Sequence, residues 1–288
     1  MNSSKLKLLL IALFLCINLF FAIRLTNLIE SKKYFTEAEI NNAVNVLKAK
    51  GIDIEVETVL KEKAVPVTLK LNFNNSTVEK MAKNIMHSEY GSFNIPSGNN
   101  FANDFESFTV YNDYNFLYER FEHSQTKDEV IQILKNAEIT NEDLQKEFEE
   151  KLHDYLTAAS SKNIKTTVKI KKHIRKDGLD YIEAGECING YEINDALFYM
   201  VLSKDKTIFA FGKFYFSDTA AEFTSEAHDS VDILFEIDET EAKIIDMNLI
   251  YFPVYESATS YYLTPSYKFT YNDGNFSIYD ATSGVKRK

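Results

Sequence analysis

Apolar residues recur at helical spacing behind several polar caps. The first stripe comprises Ile40, Ala43, Val44 and Leu47 and stops before Gly51, as expected for one buried helix face. The capping-box pattern puts Ser or Thr three residues before an acidic residue at a helix start. It occurs at Thr36/Glu39, Ser76/Glu79 and Thr126/Glu129, and in a weaker form at Thr140/Asp143. The pattern predicts a helix at each place and a later helix over residues 222–235.

Between the helical stripes, apolar and polar residues alternate with the period of a strand. The clearest run contains Val67, Leu69, Leu71 and Phe73, which would share one face of a sheet. Hairpins are predicted where turn sequences separate such runs, at residues 112–115, 203–206 and 272–275. The last turn contains Asp-Gly, a strong tight-turn signal. The polar stretch 91–103 contains Pro and Gly and predicts a loop.

The order of these elements favours an α+β fold. We expect antiparallel sheets with helices packed on one face, behind an N-terminal transmembrane helix. The largest change in residue pattern lies near Ser124, between the first predicted hairpin and the following pair of helices. The predicted organisation is therefore a tail and anchor over residues 1–30, a first α+β module over 31–124 and a second over 125–288. The capped helices suggest two related modules.

An N-terminal apolar run predicts the anchor. Residues 8–23 are apolar except for Asn18, with Lys5 and Lys7 before them and Arg24 after them. Further apolar residues extend the run to about the length of a spanning helix. The positive charges are nearly balanced across the run, so they do not decide its orientation.

Two processed forms compete with an uncleaved anchor. A cleaved signal peptide needs small residues near its end, and Phe20 disrupts that pattern before Ala22. A lipoprotein signal needs small residues before its cysteine, whereas bulky residues precede Cys16. We therefore expect an uncleaved, single-pass anchor.

Composition indicates a folded, acidic domain. The chain has 288 residues, 22 Phe, 17 Tyr and no Trp, with a net charge of −11. The aromatic content leans toward sheet, and the acidity argues against nucleic acid as a partner. Beyond Cys16 the remaining cysteine is Cys187, so we expect no disulfide within the soluble part.

The sequence lacks the usual motifs of catalytic, metal and phosphate sites. Its five histidines form no metal pair at helical spacing, and neither H-E-x-x-H nor G-x-S-x-G is present. We expect no catalytic residue, no metal and no cofactor, and therefore no enzyme. One catalytic alternative has Cys187 as nucleophile and His173 as base. The competing interpretation is that Cys187 is a small buried hydrophobe.

Other residue groups allow both a binding and a structural interpretation. A solvent-exposed helix face explains the acidic residues Glu147, Glu149 and Glu150. The turn at 272–275 resembles a calcium loop only superficially. The tyrosines between 251 and 279 fit either core aromatics or a binding groove. A basic cluster fits a solvated strand face or a dock for an acidic partner; it comprises Lys165, Lys169, Lys171, Lys172, Arg175 and Lys176.

Four C-terminal segments carry a family resemblance. They are SEAHDSVDIL at 225–234, IDMNLIY at 245–251, LTPSYKF at 263–269 and YDATSG at 279–284. Together with the single anchor helix and the α+β outer region, they resemble the YycI (WalI) family and overlap with the related YycH family and PepSY-like modules. The sequence departs from the family at Tyr267, where Trp is common, and at Asp280, where Asn is common.

The resemblance implies a regulatory role in the cell membrane. Members are accessory proteins of the WalK/YycG-type sensor histidine kinase, a two-component system of the Gram-positive cell wall, and act with a YycH-like protein. The resemblance implies a cytoplasmic N-terminus and an extracellular main domain. The alternative function is a PepSY-like module that binds a peptide, a protease or a wall fragment.

The anchor helix is expected to contact the kinase helices through small and polar residues. Membrane helices associate through such residues because lipid gives no hydrophobic drive between them. The candidates are Ala12, Cys16, Asn18 and Ala22. Ala12 and Cys16 share a helix face with small side chains, and Asn18 could donate an interhelical hydrogen bond. The competing interpretation is a simple tether whose residues face lipid.

Overall fold

The computed structural model describes most of the chain. The described residues are 14–15, 17–22, 24–25, 33–63, 65–72, 75–135, 137, 142–158, 160, 164–204, 206–215, 220–223, 226–237, 243–257 and 260–288. Ala12 and Cys16, two of the predicted anchor contacts, lie outside them. The described residues between 14 and 25 are helical and exposed. In the described part of the chain, no helix combines the length and apolar character needed to cross a membrane.

The regular elements alternate between short helices and longer strands. The helices are α1 (Glu37–Ala49), α2 (Asn75–Ile85), α3 (Lys127–Lys135), α4 (Glu142–Lys151), α5 (His153–Ala158) and α6 (Ser230–Phe235). The first seven strands are β1 (Asp53–Ile54), β2 (Thr68–Asn72), β3 (Gly91–Ile95), β4 (Gly98–Ala102), β5 (Glu106–Tyr111), β6 (Asn115–Arg120) and β7 (Thr166–Lys176). The others are β8 (Leu179–Ile188), β9 (Tyr191–Ser203), β10 (Lys206–Lys213), β11 (Ala220–Phe223), β12 (Lys243–Ser257), β13 (Ser260–Tyr271) and β14 (Phe276–Asp280). The fold is mixed α+β and dominated by sheet, as expected.

The chain forms two compact units. Unit 1 comprises residues 1–66, 226–248 and 267–288, and unit 2 comprises residues 67–225 and 249–266. Strands β12 and β13 contribute residues to both. The predicted module boundary near Ser124 lies inside unit 2 and stays a prediction.

Unit 1 contains the amphipathic helix α1, and the apolar face predicted for this helix is buried. Ile40, Ala43, Val44 and Leu47 are all at most 3% exposed. The capping box predicted at Thr36 is confirmed, since Thr36 N–H donates to the Glu39 carboxylate and Glu39 N–H donates to the Thr36 hydroxyl. Strand β1 pairs in parallel with β12, where antiparallel pairing had been expected.

A buried carboxylate organises the C-terminal turn of unit 1. Asp280 accepts hydrogen bonds from Thr282 N–H at 2.8 Å and from Ser283 N–H at 3.0 Å, and it forms an ion pair with Arg287. Burial opposes the charged form, but the Thr282 and Arg287 contacts outweigh it and lower the pKa of Asp280. These contacts hold residues 279–284 in a defined turn.

The strands of unit 2 follow the order β11-β2-β13-β12-β9-β10-β6-β5-β4-β3, and β8 lies between β7 and β9. The described pairings of unit 2 are antiparallel, except that β12 runs parallel to β9 where Tyr251 lies beside Ile193. The hairpins predicted at 112–115 and 203–206 join β5 to β6 and β9 to β10. In unit 1, Gly274, with a φ of 84°, completes the tight turn predicted at 272–275.

Helices cover both faces of the unit 2 sheet, which corrects the expected single face. One cluster joins helices α2, α4 and α5 to β9 residues Phe198 and Met200. The other joins Val130 and Leu134 of α3 to Val201 of β9. Because alternate residues of a strand point to opposite faces, an apolar run such as 197–202 needs a cover on each side.

Three local predictions were wrong. The polar stretch 91–103 forms the hairpin β3/β4. Residues 222–223, the start of the predicted late helix, instead belong to β11 and pair with β2, and the helix begins only at Ser230, capped by Asp229. Ser76 lies inside α2 and does not precede it. The cap at Thr126 is confirmed by its reciprocal bonds with Glu129.

Glu106 fixes the chain around β5. It is 1% exposed and accepts hydrogen bonds from His87 N–H at 2.7 Å, Ser88 N–H at 3.2 Å and the Tyr118 hydroxyl at 2.7 Å. Burial opposes its charge, but the donors from Tyr118, His87 and Asn103 outweigh burial and lower the pKa of Glu106. A buried charge with several donors stabilises the fold only while all partners remain.

Replacing Glu106 should therefore destabilise the protein. In Glu106→Ala the buried donors lose their acceptor, so we expect the free energy of unfolding to fall by roughly 2–4 kcal/mol. Urea unfolding of the full chain in detergent, followed by circular dichroism, measures the change. The exposed Glu226→Ala is the control and should change stability by less than about 0.5 kcal/mol. A similarly small effect of Glu106→Ala would contradict this account.

Asp280 should contribute stability that depends on pH. Its pKa is lowered in the folded state, so the contribution is fully present above the unfolded value of about 3.9 and is lost as pH falls through the folded value. We expect Asp280→Asn to cost about 1–3 kcal/mol at pH 7. The difference between the two proteins should shrink in urea titrations below about pH 4. A difference that is constant down to pH 3 would refute the charged role.

Candidate functional site

A bulge in β9 builds the candidate site of unit 2. Gly185 pairs with Leu197 and Cys187 with Glu192, so residues 193–196 of β9 lie opposite Glu186 alone. Asp195 adopts a φ of 71° within this bulge. Non-glycine residues rarely adopt this conformation, and Asp tolerates it better than most. Bulges commonly redirect a side chain near functional sites.

The redirected carboxylate closes a ring of hydrogen bonds. Asp195 accepts from Lys213 Nζ at 2.7 Å and from the Tyr215 hydroxyl at 3.0 Å. The Tyr255 hydroxyl accepts from Lys213 Nζ at 2.6 Å and lies 2.9 Å from the Tyr215 hydroxyl. We call Asp195, Lys213, Tyr215 and Tyr255 the polar ring.

A glycine brings Lys213 close to β9. Gly212 has a φ of 137°, and a Cβ built on it would lie 2.4 Å from Cα of Phe198. Only glycine allows β10 to approach β9 this closely. The next residue, Lys213, is therefore held beside the bulge.

Two further tyrosines, Tyr114 and Tyr261, pack against the tyrosines of the polar ring. Tyr114 lies 5.1 Å from Tyr215, 6.1 Å from Tyr255 and 5.0 Å from Tyr261, measured between ring centres. Tyr114, Tyr215 and Tyr261 are at most 1% exposed, whereas Tyr255 is 49% exposed. Tyr255 therefore presents the aromatic surface of the group to solvent.

Glu186 lies buried beneath the bulge. Its Oε2 accepts from Tyr215 N–H at 2.7 Å, while neither its Oε1 nor the Tyr261 hydroxyl has a hydrogen-bond partner among the described residues. Burial raises the pKa of Glu186 well above its usual range, against the opposing hydrogen bond from Tyr215. The neutral acid is thus the favoured form.

The electrostatics suit binding better than proton transfer. Burial alone would lower the pKa of Lys213, but the hydrogen bonds to Asp195 and Tyr255 outweigh it, and the pKa is raised. Burial also raises the pKa of Tyr215 far above its usual range. Lys213 is consequently a stable ammonium and Tyr215 a stable phenol near neutral pH, so neither is poised as a base.

The structure does not bring Cys187 and His173 together. Cys187 pairs with Thr167, whereas His173 lies six residues further along β7 and pairs with Ile182, a separation of roughly 20 Å. Burial raises the pKa of the Cys187 thiol to about 12, and the thiolate is the nucleophile. His173 instead lies 3.0 Å from Asp180.

Three of the six residues in the predicted basic cluster lie beside carboxylates. Glu192 pairs with Lys171 and lies 3.9 Å from Lys169, and Glu183 lies 3.4 Å from Lys172. These cross-strand pairs fit the solvated strand face of the structural interpretation.

The acidic helix face and most tyrosines of the C-terminal segment follow their structural interpretations, with Tyr255 as an exception. Glu147 pairs with Lys151 on the exposed side of α4, while Phe148 is buried. Most of the described tyrosines between 251 and 279 are core residues; Tyr251, Tyr261, Tyr267, Tyr271 and Tyr279 are each at most 8% exposed. Among the described residues, no group of His, Cys, Asp and Glu is arranged to hold a metal ion.

Sequence reasoning missed most of the polar ring. Tyr255 lies within the tyrosine-rich segment, but the sequence patterns do not predict Asp195, Lys213 or Tyr215 as site residues. The one available signal was Asn194-Asp195, a polar pair between the apolar Ile193 and Ala196. Such a break inside a strand pattern is typical of a bulge.

Comparisons with known proteins assign no family. No family model matches the chain, and no curated protein matches it. An uncharacterized protein from Eubacterium rectale ATCC 33656 is 12% identical over 86% of this chain and 98% of its own, with a TM-score of 0.48. The YpeB C-terminal domain of Bacillus megaterium is 11% identical over 76% of this chain and 97% of its own, with a TM-score of 0.35. Membership of the YycI family therefore stays a prediction.

The buried thiol should be unreactive in the folded protein. In a Cys16→Ser background, where Cys187 alone reports, we expect iodoacetamide at pH 8 to label the native chain at least about 100-fold more slowly than the urea-unfolded chain. Mass spectrometry of timed samples measures both rates. Comparable rates would show that the thiol is accessible and would reopen its role as a nucleophile.

Proposed function

We propose that this chain is a membrane-anchored, non-enzymatic regulator of a sensor histidine kinase of the WalK/YycG type. In this proposal the chain belongs to the YycI family, acts with a YycH-like protein and modulates a cell-wall two-component system. The N-terminus lies in the cytoplasm and the main domain outside the cell. Contacts are made both by the transmembrane helix and by the outer domain.

One observation supports the membrane anchor in this proposal, whereas the kinase and the YycH-like protein come from the family resemblance. The described helical residues between 14 and 25 expose large apolar side chains, including Phe14 at 68%, Leu19 at 63% and Phe21 at 63%. A soluble protein rarely leaves so much apolar surface together in water. Lipid and neighbouring membrane helices are the surroundings that this surface suits.

The proposed contact face is the one with small and polar side chains. Asn18 and Ala22 are four residues apart and so share a helix face, and Ala12 and Cys16 extend the set in the sequence. An Asn in lipid gains from a hydrogen bond to another helix. The regulator shifts the kinase between signalling states only if it binds one state more tightly.

A second candidate function rests on the polar ring. It places an exposed tyrosine, an ammonium and a carboxylate together at the surface of unit 2, over a strained bulge. This arrangement supports a binding module for an extracellular ligand, in line with the PepSY-like alternative of a peptide, protease or wall fragment. The two candidates are compatible, since a kinase regulator can respond to a ligand.

Site-specific photocrosslinking tests the anchor proposal. A photoreactive residue at position 18 or 22 of the full chain, expressed in a Gram-positive host, should give a covalent adduct with a sensor kinase, identified by mass spectrometry. Phe20 is the matched control because it lies about 200° around the helix from Asn18. We expect at least about fivefold less adduct from position 20, as only one face contacts the partner.

The tether interpretation predicts a different result. Equal adducts from all three positions, or adducts with lipid alone, would reject a specific helix contact. Replacing residues 8–23 with an unrelated spanning helix provides a second test. Unchanged kinase output after this swap would also reject it.

A further inference from the structure

We propose that the polar ring is a binding site for a neutral saccharide, whose pyranose ring stacks on the exposed face of Tyr255. This inference deepens the second candidate function by naming a ligand class, and it does not depend on the membrane anchor.

Tyr255 has the geometry of a stacking platform. Tyr114 packs against it with rings inclined by 24°, and the Tyr255 hydroxyl is held by Lys213 and Tyr215. With one side packed and the residue still 49% exposed, the other side of the ring faces solvent. A fixed aromatic ring gives contact area with little loss of side-chain entropy on binding.

The charges around the platform favour an uncharged ligand. The Lys213 ammonium lies 2.6 Å from the Tyr255 hydroxyl and 5.2 Å from the ring centre. It therefore lies at the hydroxyl end of the ring, leaves the outer face open and repels a second cation bound to the same ring. The exposed Asp195 carboxylate and the net charge of −11 oppose an anion. Because Asp195 and Lys213 neutralise each other, the ion pair itself gives little attraction for a ligand charge of either sign.

The remaining hydrogen-bonding capacity fits hydroxyl groups. Lys213 donates to two acceptors in the polar ring and has a third N–H, while each Asp195 oxygen accepts one bond and has further lone pairs. A pyranose presents an apolar C–H face and a rim of hydroxyls that both donate and accept. The apolar face matches Tyr255, and the rim matches the neighbouring ion pair.

The site is also preorganised. Asp195 keeps a conformation that costs about 1 kcal/mol or more for most residues, and such strain persists where the surroundings enforce it. Tyr114, Gly212 and Glu186 fix the elements around the ring from within the fold. A ligand that binds there loses little free energy to reordering of the protein.

Calorimetric titration of the full chain in detergent with the N-acetylglucosamine tetramer tests the proposal. This tetramer is neutral and soluble, and its deacetylated form is a matched cationic probe. We expect a Kd of roughly 1 mM or tighter for the neutral tetramer and at least about tenfold weaker binding of the cationic one.

Variants connect the binding to Tyr255. Tyr255→Ala should weaken binding of the neutral tetramer at least about tenfold, because the platform is lost. Tyr255→Phe keeps the ring and should weaken it by only about two- to threefold. Tyr34→Ala removes a tyrosine of similar exposure, 46%, in unit 1 and should leave binding unchanged. Circular dichroism checks that each variant is folded.

Several results would overturn the proposal. They are no binding of the neutral tetramer at about 10 mM, equal binding of the cationic form, or a folded Tyr255→Ala protein with unchanged affinity. Tighter binding of an uncharged aromatic peptide would reassign the platform to peptide recognition. In that case saccharide binding fails while the binding-module function survives, and the crosslinking result decides the anchor proposal separately.

Discussion

Strand β9 imposes the constraint on which unit 2 depends. It pairs with β8, β10 and β12, yet a regular strand has hydrogen-bonding edges for only two neighbours. The bulge at residues 193–196 resolves this conflict. Ile193, the first residue of the bulge, pairs with β12, and residues from Phe198 onward pair with β10. The strand thereby joins two groups of strands within one unit.

The same bulge separates two carboxylates into different environments. Glu186 is enclosed beneath it and favours the neutral acid, whereas Asp195 is turned outward and paired with Lys213. Burying polar groups costs free energy unless they are hydrogen-bonded, so a fold selected for stability alone would favour apolar residues here. The cost is consistent with a site at the surface above, in which the polar ring and the exposed ring of Tyr255 bind a neutral ligand.

The two proposed functions use different parts of the chain. The apolar residues between 14 and 25 suit a lipid environment, and the polar ring suits water at the surface of unit 2. A regulator needs a partner, and it must bind one conformational state of that partner more tightly than the other. Saccharide binding at Tyr255 would give the outer domain a signal, while the helix face of Asn18 and Ala22 would give it a partner.

The sequence by itself determined the features that depend on near neighbours. The caps at Thr36 and Thr126 and the turns at 112–115 and 272–275 follow from residues at most four apart, whose interactions hardly change with tertiary context. The mixed α+β class also followed, because it is the sum of such local patterns.

Tertiary structure decided what local pattern left open. The hairpin β3/β4 carries little apolar alternation and forms because β5 offers an edge to pair with. Residues 220–223 become a strand because β2 pairs with them. The polar ring unites positions 195, 213, 215 and 255, which meet only through the pairing of β9, β10 and β12. No periodicity in the sequence records such a meeting, because its cause is the path of the backbone.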